Sequence, residues 1–286
     1  AQADRLGGDL TPIGGEKAGN KEGTIPAWEG GITRPPASFK LGDFHQDPFA
    51  ADKVAMAINQ GNYKDYAAKL SPGQQGMFAK YPTFRMDVYP TRRSASYSER
   101  IYRATKQNAV SAKMIGTGAG VEAVAEGIPF PIPQDGYQVI WNHKLKYRGV
   151  AVKRWANQAA PTATGSYIPV RIREEVLGLY WKEGNTIADI NNVLTYFYQE
   201  VLSPARLAGS VLLLHETLNQ EAQARNAWVY NPGQRRVRKA PNVAYDNPGT
   251  ASDGLRTNDM FDMFNGAMDR FDWKLVGKRE MYVPYN

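Results

Sequence analysis

Cysteine is absent from the 286 residues, and that gap removes several chemistries together. Disulfide staples, thiolate metal sites, cysteine nucleophiles and a lipidated N-terminal cysteine are all excluded. For the same reason the chain suits an oxidising compartment. Long apolar runs are also missing. The greasiest, Val211-Leu212-Leu213-Leu214, gives way at once to His215 and Glu216, far short of the ~20 residues a membrane-spanning helix needs. Histidine is scarce. His45, His143 and His215 stand far apart and none belongs to an HxxxH pair, so each reads as a hydrogen-bonded structural side chain and no metal is expected. There is no GxSxG elbow, because Ser210 in "AGSV" lacks the second glycine. "GTGAG" at 116–120 fails the dinucleotide spacing and follows no clear strand. It reads as a flexible loop, and no cofactor is expected.

What is present suits a folded, basic protein. Hydrophobic residues make up 42% of the chain, enough for one large domain or two small ones. The net charge of +7 favours acidic partners. Ala1-Gln2-Ala3 has the small-residue character of a signal-peptide cleavage region, which predicts a mature, exported chain.

Residues 1–45, with "LGGDLTPIGGEKAGNKEGTIPAWEGG", read as an extended, irregular N-terminal arm. Ile13, Ile25 and Trp28 are its candidate anchors. Residues 46–126 read as a mainly helical cover. A helix is predicted over 47–60, with Asp47 as N-cap and Pro48 at its first position. Others are predicted over 63–70, from Ser71-Pro72 to before Pro82, and over 98–114 with Ile101, Thr105 and Ala109 on one side. Residues 127–286 read as a sheet region, one domain with the helices. "GIPFPIPQDGYQVIWNH" carries three prolines in five residues, which argues against helix. From Lys146 on, strand-length runs follow: "YRGVAVKRWA", "GSYIPVRIR", "EVLGLYW", "NVLTYFYQEVL", "AGSVLLLHETL", "NAWVYN" and a closing "FDWKLVGKREMYVPY". Residues 207–218 admit a helix as well as a strand. No helix of crossover length separates the runs, so the sheet should be antiparallel and sequentially connected, giving an α+β fold.

Two of these runs are apolar on both faces. "NNVLTYFYQEVL" sets Leu194, Tyr196, Tyr198 and Leu202 on one side and Val193, Phe197 and Val201 on the other. Such strands are buried on both faces, against helices on one and further protein or a cavity on the other. Alternation nominates Tyr196, Tyr198, Leu212, Leu214, Trp228 and Tyr230 as the lining of a site for a hydrophobic molecule. In "NAWVYNPGQRRVRKAP", Pro232 and Gly233 predict a type II turn that sets Tyr230 opposite Arg235 and Trp228 opposite Val237. Arg235, Arg236 and Arg238 would then form a basic rim. Lys144, Lys146, Arg148, Lys153 and Arg154, interleaved with Tyr147 and Trp155, also match a single-strand nucleic-acid surface. Their strand-like alternation argues against that reading, and no nucleic-acid partner is expected. Asp259 and Asp262 admit one face of a short helix and acid–base work, if a pocket and a histidine converge on them; capping and solvated acids are the simpler reading.

Four long stretches together resemble one family: "LTPIGGEKAGNKEGTIPAWEGG", "GIPFPIPQDGYQVIWNH", "WVYNPGQRRVRKAPNVAYDNP" and "FDMFNGAMDRFDWKLVGKREMYVPYN". They resemble the bacterial exported family catalogued as domain of unknown function 1329. The resemblance implies a periplasmic protein of Gram-negative bacteria with a LolA/LolB-like fold, a curved antiparallel half-barrel closed by helices over an apolar cavity. It implies partnership with an RND-type exporter and an outer-membrane protein, and further strand-like segments beyond Asn286. It brings no catalytic residues. The combined expectation is a non-enzymatic carrier for a lipid or other hydrophobic molecule. The alternatives are a scaffold of an envelope complex and a lipid-modifying enzyme built on Asp259 and Asp262.

Overall fold

The computed structural model describes residues 2–283, and the chain divides into two compact units. The smaller unit comprises Gly8–Thr11, Glu16–Tyr97 and the segment from Val276. Its strands β1 (Met56–Asn59) and β2 (Arg85–Val88) pair antiparallel, with Ile58 opposite Met86. Between them lie a 3-10 helix, Tyr63–Lys69, and α1 (Pro72–Lys80). The start of α1 is written locally: the Ser71 hydroxyl accepts from Gln74 N at 3.1 Å, and Gln74 Oε1 accepts from Ser71 N at 2.8 Å. Ile58, Leu70 and Phe78 form the core of this unit.

The predicted helix over 47–60 does not form. The Asp47 carboxylate accepts from Phe49 N at 2.8 Å, closing a local turn, and residues 56–59 enter the β1–β2 pair instead. Pairing buries Ile58 fully, an outcome that local capping signals do not encode. The N-terminal segment is irregular but tied down. The Arg93 guanidinium donates to the carbonyls of Glu16, Lys17, Ala18 and Pro26, and Trp28 Nε1 donates to Ala95 O at 2.9 Å. The closing run contains no strand among the described residues. Its Tyr282 donates N–H to Lys69 O and accepts from Gln74 Nε2, each at 3.0 Å.

The larger unit comprises Ala1–Gly7, Pro12–Gly15 and Ser98–Leu275. Helix α2 (Glu99–Ser111) buries Ile101, Ala104, Thr105 and Asn108, one stripe at helical spacing. A short hairpin follows, β3 (Lys113–Ile115) with β4 (Gly120–Glu122). "GTGAG" is therefore its turn rather than an open loop. Gly118 adopts φ +102°, and a Cβ there would strike the Tyr137 ring at 2.3 Å. Helix α3 (Gly136–Lys144) overturns the helix-free reading of "GIPFPIPQDGYQVIWNH". The prolines end at Pro133, and Asp135 restarts the chain as an N-cap, its carboxylate accepting from Gln138 N at 2.9 Å.

Then come β5 (Ala151–Gln158), β6 (Val170–Gly178), β7 (Val193–Ser203), β8 (Val211–Thr217), β9 (Asn226–Asn231) and β10 (Arg236–Lys239). They form an open six-stranded antiparallel sheet in the order β10-β9-β8-β7-β6-β5, each strand beside its sequence neighbour. Residues 211–217 are strand, not helix. "GSYIPVRIR" and "EVLGLYW" are not two strands: β6 runs through both, and the chain turns after Gly178, where a Cβ would meet the Trp181 ring at 2.3 Å. The β9–β10 register also differs from the type II expectation. Tyr230 faces Val237 and Trp228 faces Lys239. The turn is longer because Arg235, at φ +52°, takes the left-handed position expected of Gly233, and Asn231 Oδ1 accepts from Gln234 N at 3.1 Å. The core gathers Trp141, Leu145, Tyr180, Trp181, Ile190, Leu194 and Leu218.

Candidate functional site: a covered cavity on one sheet face

Directly opposed residues of antiparallel strands point to the same side, so the register arranges one face of the larger sheet into three rungs. Arg154, Glu174, Gln199 and Leu212 form the first. Val152, Val176, Phe197, Leu214 and Ala227 form the second, which is wholly apolar. Gly178, Thr195 and Glu216 form the third, and Arg225, just before β9, pairs with Glu216 to complete it. Gln199 and Thr195 mark the outer rungs, so these lie about 13 Å apart at ~3.3 Å per strand residue. The chain from Val243 to Asn265, the end of α3 and the lead into β5 cover this face. A cavity of about 240 Å³ lies beneath them.

The polar groups are concentrated at the outer rungs. The Arg225–Glu216 pair is almost completely buried, with side chains 2% and 7% exposed. Arg225 also donates to Val243 O at 3.2 Å and to Asn265 O, tying both ends of the cover to the sheet. Lys144 donates to Gly266 O at 2.8 Å and lies over the Trp141 ring at 4.8 Å. Burial pushes its ammonium down to about 8; Glu216 opposes the shift and Arg225 adds to it. At the first rung Arg154 pairs with buried Glu174, which accepts from Gln199 Nε2 at 2.7 Å. The guanidinium groups of Arg154 and Arg256 lie over the Phe261 ring at 5.5 and 5.7 Å. Gly249 makes room for Arg256, since a Cβ there would lie 2.7 Å from its guanidinium. Within the lining, two buried side-chain atoms have no hydrogen-bond partner among the described residues: Gln199 Oε1 and Arg225 Nε.

Asp262, also in the lining, gathers cations. Arg148 pairs with it directly, Lys146 Nζ lies 3.2 Å away and His143 Nε2 3.4 Å away. Both ring nitrogens of His143 are engaged. Nε2 donates to Asp262 O at 2.7 Å, and Nδ1 accepts from Lys146 Nζ at 3.0 Å. Burial, reinforced by Lys146 and Arg148, holds His143 down to about 4. Burial, reinforced by Arg148, lowers Lys146 to about 8. A neutral imidazole with both nitrogens occupied has no lone pair to offer a substrate. The predicted short helix at Asp259 and Asp262 is absent: Asp262 and Met263 sit at φ +54° and +67°. Asp259 accepts from the Thr257 hydroxyl and does not line the cavity. No group of three or more His, Asp or Glu side chains suited to a metal ion occurs among the described residues.

The nominated residues are divided by the sheet. Leu212 and Leu214 line the cavity. Tyr196, Tyr198, Trp228 and Tyr230 lie on the opposite face, because Tyr196 opposes His215 and Phe197 opposes Leu214. Tyr196 and Tyr198 line an open groove there, and the His215 ring meets Tyr196 and Trp228 at 4.6 and 4.8 Å. Arg236 and Arg238 are exposed on edge strand β10, Arg235 is exposed in the turn before it, and none lines the cavity. Edge cations also block pairing with other strands. The basic cluster at 144–154, by contrast, supplies Lys144, Arg148 and Arg154 to the lining. Sequence reasoning missed Phe197, Gln199, Glu216 and Arg225. The usable signal was Glu216, an acid two residues beyond Leu214 and so of inward parity in an apolar strand.

A family model described as "Protein of unknown function (DUF1329)" matches residues 57–286. The chain is 49% identical over 291 aligned positions to the uncharacterized protein PA3922 of Pseudomonas aeruginosa. That alignment takes in 100% of this chain and 63% of the relative, so the chain spans under two thirds of the relative's length. Among solved structures, a family protein from Desulfovibrio piger aligns at 20% identity with a TM-score of 0.30, over 44% of this chain and 45% of that one.

Proposed function

The chain belongs to the DUF1329 family, and from that premise we propose that it is a non-catalytic carrier for a single-chain lipid or similar hydrophobic molecule. The observation that carries this reading is the covered cavity with an apolar middle rung. Removing an acyl chain from water there gains about 25 cal/mol per Å² of apolar surface. At about 240 Å³ the cavity falls just below the ~300–1,000 Å³ typical of small-molecule pockets, so it suits one chain rather than a two-chain phospholipid. In this reading the open sheet is the wall of a LolA/LolB-like half-barrel. The carrier works in the periplasm, delivering to or receiving from an RND-type exporter and an outer-membrane protein. The absence of cysteine agrees with that compartment. Exposed Arg235, Arg236 and Arg238 offer a basic docking surface for acidic partners.

The test is organic extraction and mass spectrometry of the protein from its native host, beside a Leu214→Arg variant. About one hydrophobic molecule per chain, lost in the variant, is expected. Extracts empty for both, with no apolar dye bound by the native protein, would overturn the carrier.

A second reading, a scaffold of an envelope complex, is favoured by the opposite sheet face. There Trp155 is 46% exposed, Leu177 40% and Leu213 37%, close to partly exposed Tyr196, Tyr198, Trp228 and Tyr230. A patch of this kind suits a protein partner. Trp155→Ser and Leu213→Ser would abolish complex formation in the scaffold and leave cargo untouched in the carrier.

A further inference from the structure

The charges in the cavity do not balance. Its lining holds Lys144, Arg148, Arg154, Arg225 and Arg256 against Glu216 and Asp262, with Glu174 beneath. The three carboxylates each have a guanidinium of their own: Arg225 for Glu216, Arg148 for Asp262 and Arg154 for Glu174. Lys144 and Arg256 have no carboxylate in salt-bridge contact among the described residues. The Lys144 ammonium has three donors and spends one on Gly266 O. A desolvated cation with free donors gains most from an anion brought into contact with it.

The unpaired atoms orient such an anion. Arg225 Nε, on the third rung, is a buried donor without an acceptor, and Glu216 and Arg225 are the charges felt most strongly by Lys144. At the first rung the unpaired atom is Gln199 Oε1, an acceptor that repels a second anion. On the sheet between them lie Val152, Val176, Phe197, Leu214 and Ala227.

We propose, resting on the carrier reading, that the cargo is a medium-chain amphiphile with an anionic head. Its carboxylate or equivalent anion sits on Lys144, and its chain runs along the apolar rung towards Gln199. The separation of the outer rungs, about 13 Å, accommodates roughly ten carbons at ~1.3 Å per methylene, the projection of a tetrahedral carbon–carbon bond on the chain axis. The step is binding alone, with no bond made or broken.

Isothermal calorimetry on the full chain at pH 7 decides it, with decanoate, decan-1-ol and decylamine below their aggregation limits. Decanoate is expected to bind at least tenfold tighter than either analogue. Lys144→Met should erase that preference and Lys144→Arg should keep it, with thermal melting confirming that each variant folds. Should Lys144→Met fail to fold, the native protein's preference and Lys144→Arg still decide. Decan-1-ol binding as tightly as decanoate, or an intact preference in folded Lys144→Met, would overturn the anionic head and leave the carrier reading standing. No binding of any probe would overturn both.

Discussion

Replacing Arg225 with Met leaves the Glu216 carboxylate in a site where it is 7% exposed. Its one other described hydrogen bond is from Gln220 Nε2 at 3.1 Å. Removing one partner of a buried pair costs about 3–5 kcal/mol, because the remaining charge is uncompensated. The variant also strips the donors from Val243 O and Asn265 O, at about 1 kcal/mol each. The sum, roughly 5 kcal/mol, is a large share of the ~5–15 kcal/mol that stabilises a domain. At about 2–4 °C per kcal/mol for a unit of this size, melting should fall by roughly 10 °C or more. Urea denaturation followed by tryptophan fluorescence, analysed for the larger unit, reads the change. Glu216→Gln in the Arg225→Met background should restore part of the loss, since no buried charge then remains. A loss below about 1 kcal/mol in Arg225→Met, with no rescue in the double variant, would refute the buried pair as the fastening of the cover.

The acid side of the stability profile should carry the signature of His143. Its pKa is about 4 folded against 6.5 as a model group, so the unfolded chain binds more protons between those values and stability falls as pH drops from 6.5 to 4. His143→Gln should flatten that window, by no more than about 3 kcal/mol; an unchanged slope counts against the burial of the imidazole. Lys144 and Lys146, lowered to about 8, bind fewer protons folded than unfolded between about pH 8 and 10.5. Stability should therefore rise with pH across that range, and in Lys144→Met the rise should shrink in chemical denaturation. Ser71→Ala removes the capping box of α1 and should cost about 1 kcal/mol. Hydrogen exchange should find faster amides in α1 and no change in β5–β9. Arg236→Glu with Arg238→Glu should weaken adsorption to anionic vesicles at low salt, and unchanged adsorption would remove the basic edge from any docking role.

Much of the framework is local, and therefore legible in the sequence. Ser71-Pro72 starts α1 through contacts within four residues. The stripe of α2 repeats at helical spacing. The β-branched and aromatic runs from Lys146, broken by glycine, proline and asparagine, dictate a sequential antiparallel sheet, because no segment between them is long enough for a crossover. Family membership rests on equally long continuous stretches. The site itself is decided elsewhere. Alternation separates Phe197 from Tyr196 and Tyr198 but does not say which side faces inward, and inverting a whole strand leaves its pattern unchanged. Pairing Phe197 with Leu214 and laying residues 243–265 over that side settled it, and sent the tyrosines to the other face. The same applies to charge. Lys144 lies far in sequence from Glu216 and Arg225, and each is ordinary one by one. Only the register of β8 and β9 and the closure of the cover bring them into one desolvated cluster, where an ammonium without a carboxylate of its own acquires a chemical meaning.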